Sequence, residues 1–319
     1  MKFKVLIILF LLVGAVFCSV APSHAFWMWT PETGEWINPK YAVKETPSEQ
    51  LDHANQFYAE QKYKEAISEY KKLIKHYPRS REASEAQFFI AKVFYDQGKK
   101  HQAYLEYQTV IDKYPFSERS AEIVRSQYDI GVELLEDPNR GRFMDTVTGN
   151  DIEVLDIFRV VIKNAPYGEL AAPSQYKIAL YLTEKKLYQE ARDEFERVIN
   201  DYPQSEWAEA ATYQIAMLDA KRSTGAEYDQ KITETAIQEL NEFAQMYPDA
   251  ELTEDAKNQV AELREKEAES KMVVAEFYEK QKNYKAASIY YKKVLEKYND
   301  TRWAVQALKR IQEISGKIE

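Results

Sequence analysis

The chain has 319 residues, 45% of them hydrophobic and 30% charged, with 43 basic against 52 acidic side chains and a net charge of −9. That acidic balance excludes nonspecific binding to nucleic acid and to anionic headgroups, both of which need a cationic surface. The length allows about two domains, yet a composition rich in Ala, Glu, Lys, Tyr and Gln with only nine glycines points to helices throughout.

The chain opens with Lys2 and Lys4, continues in an apolar run over residues 5–20 and reaches Pro22-Ser23-His24-Ala25. A positive start, a short apolar stretch and a small-x-small site make residues 1–25 a secretory signal peptide, cleaved near Ala25. The run is shorter than the roughly 20 residues a spanning helix needs. Cys18 is the one cysteine, and Phe17 stands before it where lipoprotein processing requires a small residue. Cleavage after Ala25 leaves no disulfide, no thiolate metal site and no thiol nucleophile. It also removes two lysines, leaving 41 basic against 52 acidic side chains and a charge of −11.

Residues 26–45 form an aromatic N-terminal segment carrying Trp27, Trp29 and Trp36. Pro31 suits the second position of a type I turn and Gly34 the left-handed residue after it, so Trp29 and Trp36 face each other across a short hairpin. The tryptophans serve either to cap the first helix pair or to make an aromatic contact with a partner or a membrane interface.

From residue 46 to residue 319 one phrase recurs, an aromatic-Pro-x-small unit: Tyr77-Pro78-Arg79-Ser80, Tyr114-Pro115-Phe116-Ser117, Ala165-Pro166-Tyr167-Gly168, Tyr202-Pro203-Gln204-Ser205 and Tyr247-Pro248-Asp249-Ala250. Tyr298-Asn299-Asp300-Thr301 is a sixth copy without its proline. Proline cannot continue the helix before it, and a Ser two residues on caps the next. Successive anchors lie 37, 51, 37, 45 and 51 residues apart. A base period slightly above 34 with insertions is that of helix-turn-helix tetratricopeptide repeats.

Small residues fall where two helices must approach closely. Ala66, Ala103, Ala191 and Ala287 lie 12 residues before their anchors, and Ala54, Ala91, Ala179 and Ala275 lie 24 before. Large apolar residues recur eight before: Tyr70, Tyr107, Phe158, Phe195, Leu240 and Tyr291. The fold expected is therefore all-α, a tetratricopeptide-repeat superhelical solenoid of about six helix pairs, preceded by the short Trp-rich hairpin.

Two insertions, at residues 136–151 and 222–230, carry Gly, Pro, Asn and Ser and read as loops. Residues 251–280 lack Gly and Pro and keep helical apolar spacing, which predicts one long helix or two nearly continuous ones. Residues 301–315, with Trp303, Val305, Leu308, Ile311 and Ile314, close the stack as a capping helix.

Enzyme motifs are missing: there is no Gly-rich phosphate loop, no His-Glu-x-x-His and no Gly-x-Ser-x-Gly, and His53, His76 and His101 lack ligand spacing. Catalytic residues, metal ligands and cofactors are accordingly not expected. The candidate site is a concave, protein-binding face. As in other tetratricopeptide proteins the first helix of each pair faces the groove, which nominates Leu51, Asn55 and Tyr58, then Phe88, Lys92 and Tyr95, then Tyr176, Leu180 and Thr183. Tyrosine supplies contact area and a hydrogen-bonding tip at low entropic cost.

Across residues 46–315 the chain resembles the BamD (YfiO) family of outer-membrane assembly lipoproteins. The resemblance is carried by Ala54, Tyr63, Ala66, Tyr70, Tyr77-Pro78 and Ser80 and by the final unit, Val274-Ala275-Glu276-Phe277-Tyr278 with Asn283-Tyr284-Lys285-Ala286-Ala287 and Tyr298. It implies a noncatalytic periplasmic scaffold, peripheral to the outer membrane, whose protein partners include a POTRA-containing barrel-assembly protein. The chain departs from the family in the residue before Cys18 and in the Trp-rich hairpin. Two other readings are a cell-envelope adaptor resembling the Tol-Pal cell-division coordinators and a noncatalytic subunit of an envelope enzyme. A pocket near Arg140, Arg142 and Asp145 would favour the latter.

Overall fold

A computed structural model describes residues 27–30, 34–38, 42–136, 154–222 and 230–317. Residues 1–25, read above as a signal peptide and containing Cys18, together with Pro31, residues 137–151 (with Arg140, Arg142 and Asp145) and residues 223–229 of the two insertions, lie outside the described residues. The chain divides into two compact units, residues 1–117 and 118–319.

The first unit begins with an antiparallel ribbon of β1 (Met28–Thr30) and β2 (Glu35–Ile37), in which Trp29 pairs with Trp36. The two indoles meet edge to face at 5.8 Å, and Gly34 takes φ +65°, as the turn chemistry requires. Four helices follow: α1 (Pro47–Ala59), α2 (Tyr63–His76), α3 (Arg81–Asp96) and α4 (Lys100–Lys113). Thr46 caps α1, its hydroxyl accepting from the Glu49 amide at 3.3 Å, with Pro47 at the first helical position where its missing N–H costs nothing.

The second unit holds α5 (Ser120–Glu136), α6 (Val154–Asn164), α7 (Ala171–Glu184), α8 (Tyr188–Asp201), α9 (Glu206–Arg222), α10 (Gln230–Met246), α11 (Thr253–Lys280), α12 (Tyr284–Lys297) and α13 (Arg302–Ile314). Residues 253–280 form one unbroken helix of 28 residues. Within each unit α-helices that follow one another pack as antiparallel neighbours, and first helices also meet the first helix of the next pair, α1 on α3 and α7 on α9. This is the stacking by which a helix pair too small to bury its own apolar stripe rests on the next.

All eight alanines at the 12- and 24-residue offsets are fully buried, at 0% exposure. So are Tyr70, Phe158, Phe195, Leu240 and Tyr291, while Tyr107 retains 3%. The alanines let two backbones approach, and the large side chain eight before the anchor fills the space beside them.

Between the helices of a pair the backbone turns through one left-handed residue, Gln61 (φ +57°), Gly98 (+73°), Lys186 (+63°) or Lys282 (+62°), each 17 residues before its anchor. The amide after it then reaches back to a helix carbonyl, as Lys62 does to Phe57 at 2.9 Å, closing the C-terminus. At the other turns Ser80 behaves as expected, its Oγ accepting from the Ala83 amide at 3.2 Å. Ser205 does not cap in that way: its hydroxyl donates to the Tyr202 carbonyl at 2.8 Å, and Thr301 does the same to Tyr298 at 2.7 Å. There the hydroxyl satisfies the helix that ends rather than the helix that begins.

Candidate protein-binding face

The first helices α1, α3 and α7 carry the nominated residues, and the structure separates them into two groups. Phe88 is 1% exposed and packs its ring on Tyr107 of α4 at 5.7 Å. Tyr176 is 8% exposed, wedged between Phe195 of α8 and Trp207 of α9 at 5.4 and 5.1 Å. Thr183 is also buried, its hydroxyl donating to the Ala179 carbonyl at 2.9 Å. These three side chains belong to the core, which corrects their placement on an open groove. The reason is that a first helix is covered both by its own partner and by the next repeat. On α7 six consecutive residues from Ala171 to Tyr176 are buried.

Leu51, Asn55, Tyr58, Lys92, Tyr95 and Leu180 remain partly exposed. In α1, Asn55 and Tyr58 also hold the repeat together. The Tyr70 hydroxyl donates to Asn55 Oδ1 at 2.7 Å, and the Tyr58 hydroxyl donates to Asp96 Oδ2 at 2.6 Å, bridging α1 to the end of α3. Burial first, and the Asp96 carboxylate second, push the Tyr58 phenol well above the ordinary tyrosine range. It is thus a fixed neutral donor with one ring face on Phe89, at 5.6 Å. Further along α7, Lys185 Nζ sits over the Tyr181 ring at 5.2 Å, extending the partly exposed stretch that includes Leu180.

A second regularity ties first helices to second ones. Gln50, Gln87 and Gln175 are buried 28 residues before their anchors, and each donates through Nε2 to a glutamate 19 residues on: Glu69 at 2.9 Å, Glu106 at 2.5 Å, and Glu194. The amide also reaches the Glu69 carbonyl at 3.2 Å in the first pair. Three copies of one buried polar bridge fix the rotation of each pair, since a buried amide left unpaired costs about 1–3 kcal/mol. The spacing was visible in the sequence, although glutamine on an acidic helix carries no obvious meaning there.

In the second unit Arg192 of α8 joins two further helices, with Nη2 3.0 Å from Asp219 of α9 and Nη1 3.4 Å from Glu239 of α10. Burial raises the Glu239 carboxyl above its usual range against the pull of that guanidinium. Glu279 at the end of α11 accepts from the Tyr291 hydroxyl of α12 at 2.7 Å. Among the described residues no group of three or more His, Cys, Asp or Glu is placed to hold a metal ion, and no helix is long and apolar enough to cross a membrane. His53 lies edge-on to Phe57 at 5.0 Å. The ribbon leaves its aromatic face open rather than covered by the first helix pair: Trp27, Trp29 and Trp36 are 56%, 51% and 62% exposed.

Paired antiparallel helices, invariantly buried alanines at fixed offsets and partly exposed first-helix side chains define a tetratricopeptide-repeat protein, and residues 51–118 match the tetratricopeptide repeat family directly. Residues 153–318, slightly more than half of the chain, match the YfiO family, described as outer membrane lipoprotein, and the chain belongs to that family.

A curated relative, the outer membrane protein assembly factor BamD of Caulobacter vibrioides, is 29% identical over 165 residues, covering 52% of this chain and 54% of the relative. The match thus spans about half the length of that relative. Among solved structures, a thermophilic TPR protein of Thermus thermophilus is 16% identical, covering 68% of this chain and 98% of its own, with a TM-score of 0.32. A tetratricopeptide repeat protein of Parabacteroides merdae is 14% identical, covering 78% and 92%, with a TM-score of 0.36.

Proposed function

We propose that the chain is a noncatalytic periplasmic scaffold of outer-membrane β-barrel protein assembly. It holds protein segments, among them part of a POTRA-containing barrel-assembly protein, against the partly exposed positions of its first helices. The observation that carries this reading is the family match over residues 153–318, which covers the described helices from α6 to α13. The likeness to a BamD over 165 residues supports it. So does the chemistry of the first helices: in the first unit Tyr58, Tyr95 and Lys92 combine apolar area, hydroxyl groups and a cation, and in the second Leu180 adds apolar area.

Photo-crosslinking residues placed at Lys92, Tyr95 and Leu180 in living cells test it. Crosslinks to an outer-membrane assembly protein from these positions, and none from Lys71 or Glu196 on second helices, are the expected result. Equal crosslinking from both sets, or none from the first helices, contradicts the assignment of the face.

A further inference from the structure

The N-terminal ribbon has one aromatic face. Trp29 and Trp36 are cross-strand partners with rings in edge contact, and Trp27 immediately precedes β1, two residues before Trp29. All three rings are more than half exposed, and Met28 on the opposite side is 47% exposed. Three indoles held open on a two-stranded ribbon form an apolar surface edged by N–H donors, the chemistry favoured where hydrocarbon meets headgroups.

We propose that this ribbon is a lipid-contact device that seats the tryptophans in the interface of a bilayer. Two observations favour lipid over a protein partner or a second copy. First, the chain belongs to a family of outer membrane lipoproteins, yet Phe17 occupies the place before Cys18 where lipid attachment needs a small residue, so attachment calls for another element. Second, residues 26–38 contain Glu32 and Glu35 and no Lys or Arg, so the contact is driven by indole partitioning and not by attraction to anionic headgroups. The inference rests on the envelope location in the proposed function but not on the identity of any protein partner.

The test uses the exported protein beginning at Phe26, so that neither an acyl chain at Cys18 nor the apolar run over residues 5–20 contributes, mixed with vesicles of phosphatidylcholine and phosphatidylethanolamine. This protein is expected to float with the vesicles and to have its tryptophan fluorescence quenched by brominated lipid. Trp27→Ala, Trp29→Ala and Trp36→Ala together should lower partitioning at least about tenfold while far-UV helicity and capture of protein partners are retained. Failure of the parent protein to float, or equal flotation of the variant, overturns the proposal. Loss of a dimer in the variant in lipid-free buffer also overturns it, in favour of a second copy.

Discussion

The Tyr298 hydroxyl donates to Glu267 Oε2 at 2.7 Å, so the residue that ends α12 is tied to the middle of the long helix α11. Glu267 is 2% exposed, and burial holds its carboxyl above the ordinary glutamate range even though the Tyr298 hydrogen bond and the charges of Lys271 and Lys297 pull it down and only Glu234 among the nearby charges pushes with burial. A carboxyl raised in the folded state favours folding most when protonated. That contribution is full below the unfolded value near pH 4.5 and is lost as pH rises through the folded value. Glu267→Gln keeps an oxygen for Tyr298 and removes the buried charge. Its melting temperature is expected to exceed that of the parent at neutral pH, with the gap closing as pH falls toward 4.5. A gap that widens on acidification contradicts this account.

Ala191 sits at the close approach of α7 and α8 with no exposed surface. Ala191→Leu should cost about 1–3 kcal/mol by overpacking, read from denaturant midpoints. Ala261→Leu on the exposed side of α11 should change stability by less than about 0.5 kcal/mol.

Gly98 and Lys186 occupy equivalent left-handed turns, one filled by glycine and one by lysine. Lys186→Gly should stabilise by about 0.5–1 kcal/mol because the backbone conformation is unfavourable for a residue with a Cβ. Gly98→Ala should destabilise by a similar amount through the backbone alone, since nothing lies within 4 Å of an added Cβ there. Thermal unfolding of the two variants checks both signs.

Arg192→Met removes the guanidinium that separates the carboxylates of Asp219 and Glu239. A loss of about 1–3 kcal/mol is expected from leaving the partly buried Glu239 without its cation, since Asp219 keeps Arg222 at 3.1 Å, and Glu239→Gln in the same chain should restore part of it. Additive losses in a double-mutant cycle would mean that the three side chains do not act together.

Much of this fold was readable because repetition multiplies weak signals. One buried alanine means little, but eight at two offsets from a Tyr-Pro anchor fix which helix faces meet, and all eight are fully buried. The Trp29–Trp36 pair was readable from turn chemistry and the unbroken α11 from the lack of Gly and Pro. The binding face was less so. Helical periodicity says that Phe88 shares a helix face with Lys92, and Tyr176 one with Leu180, but not how far the next repeat covers each face. Depth within the stack decides this, and it follows from inter-repeat packing that no single helix encodes. The left-handed turns at Gln61, Lys186 and Lys282 were hidden for a different reason, since only Gly98 announces the conformation by its residue type.

The most direct test of the scaffold reading is to purify tagged full-length protein from detergent-solubilised envelopes of its own organism and identify what accompanies it by mass spectrometry. Co-recovery of a barrel-assembly protein with POTRA domains, reduced when Lys92, Tyr95 and Leu180 are replaced together by glutamate, is the predicted result. Recovery of division or peptidoglycan proteins without any barrel-assembly protein would contradict it.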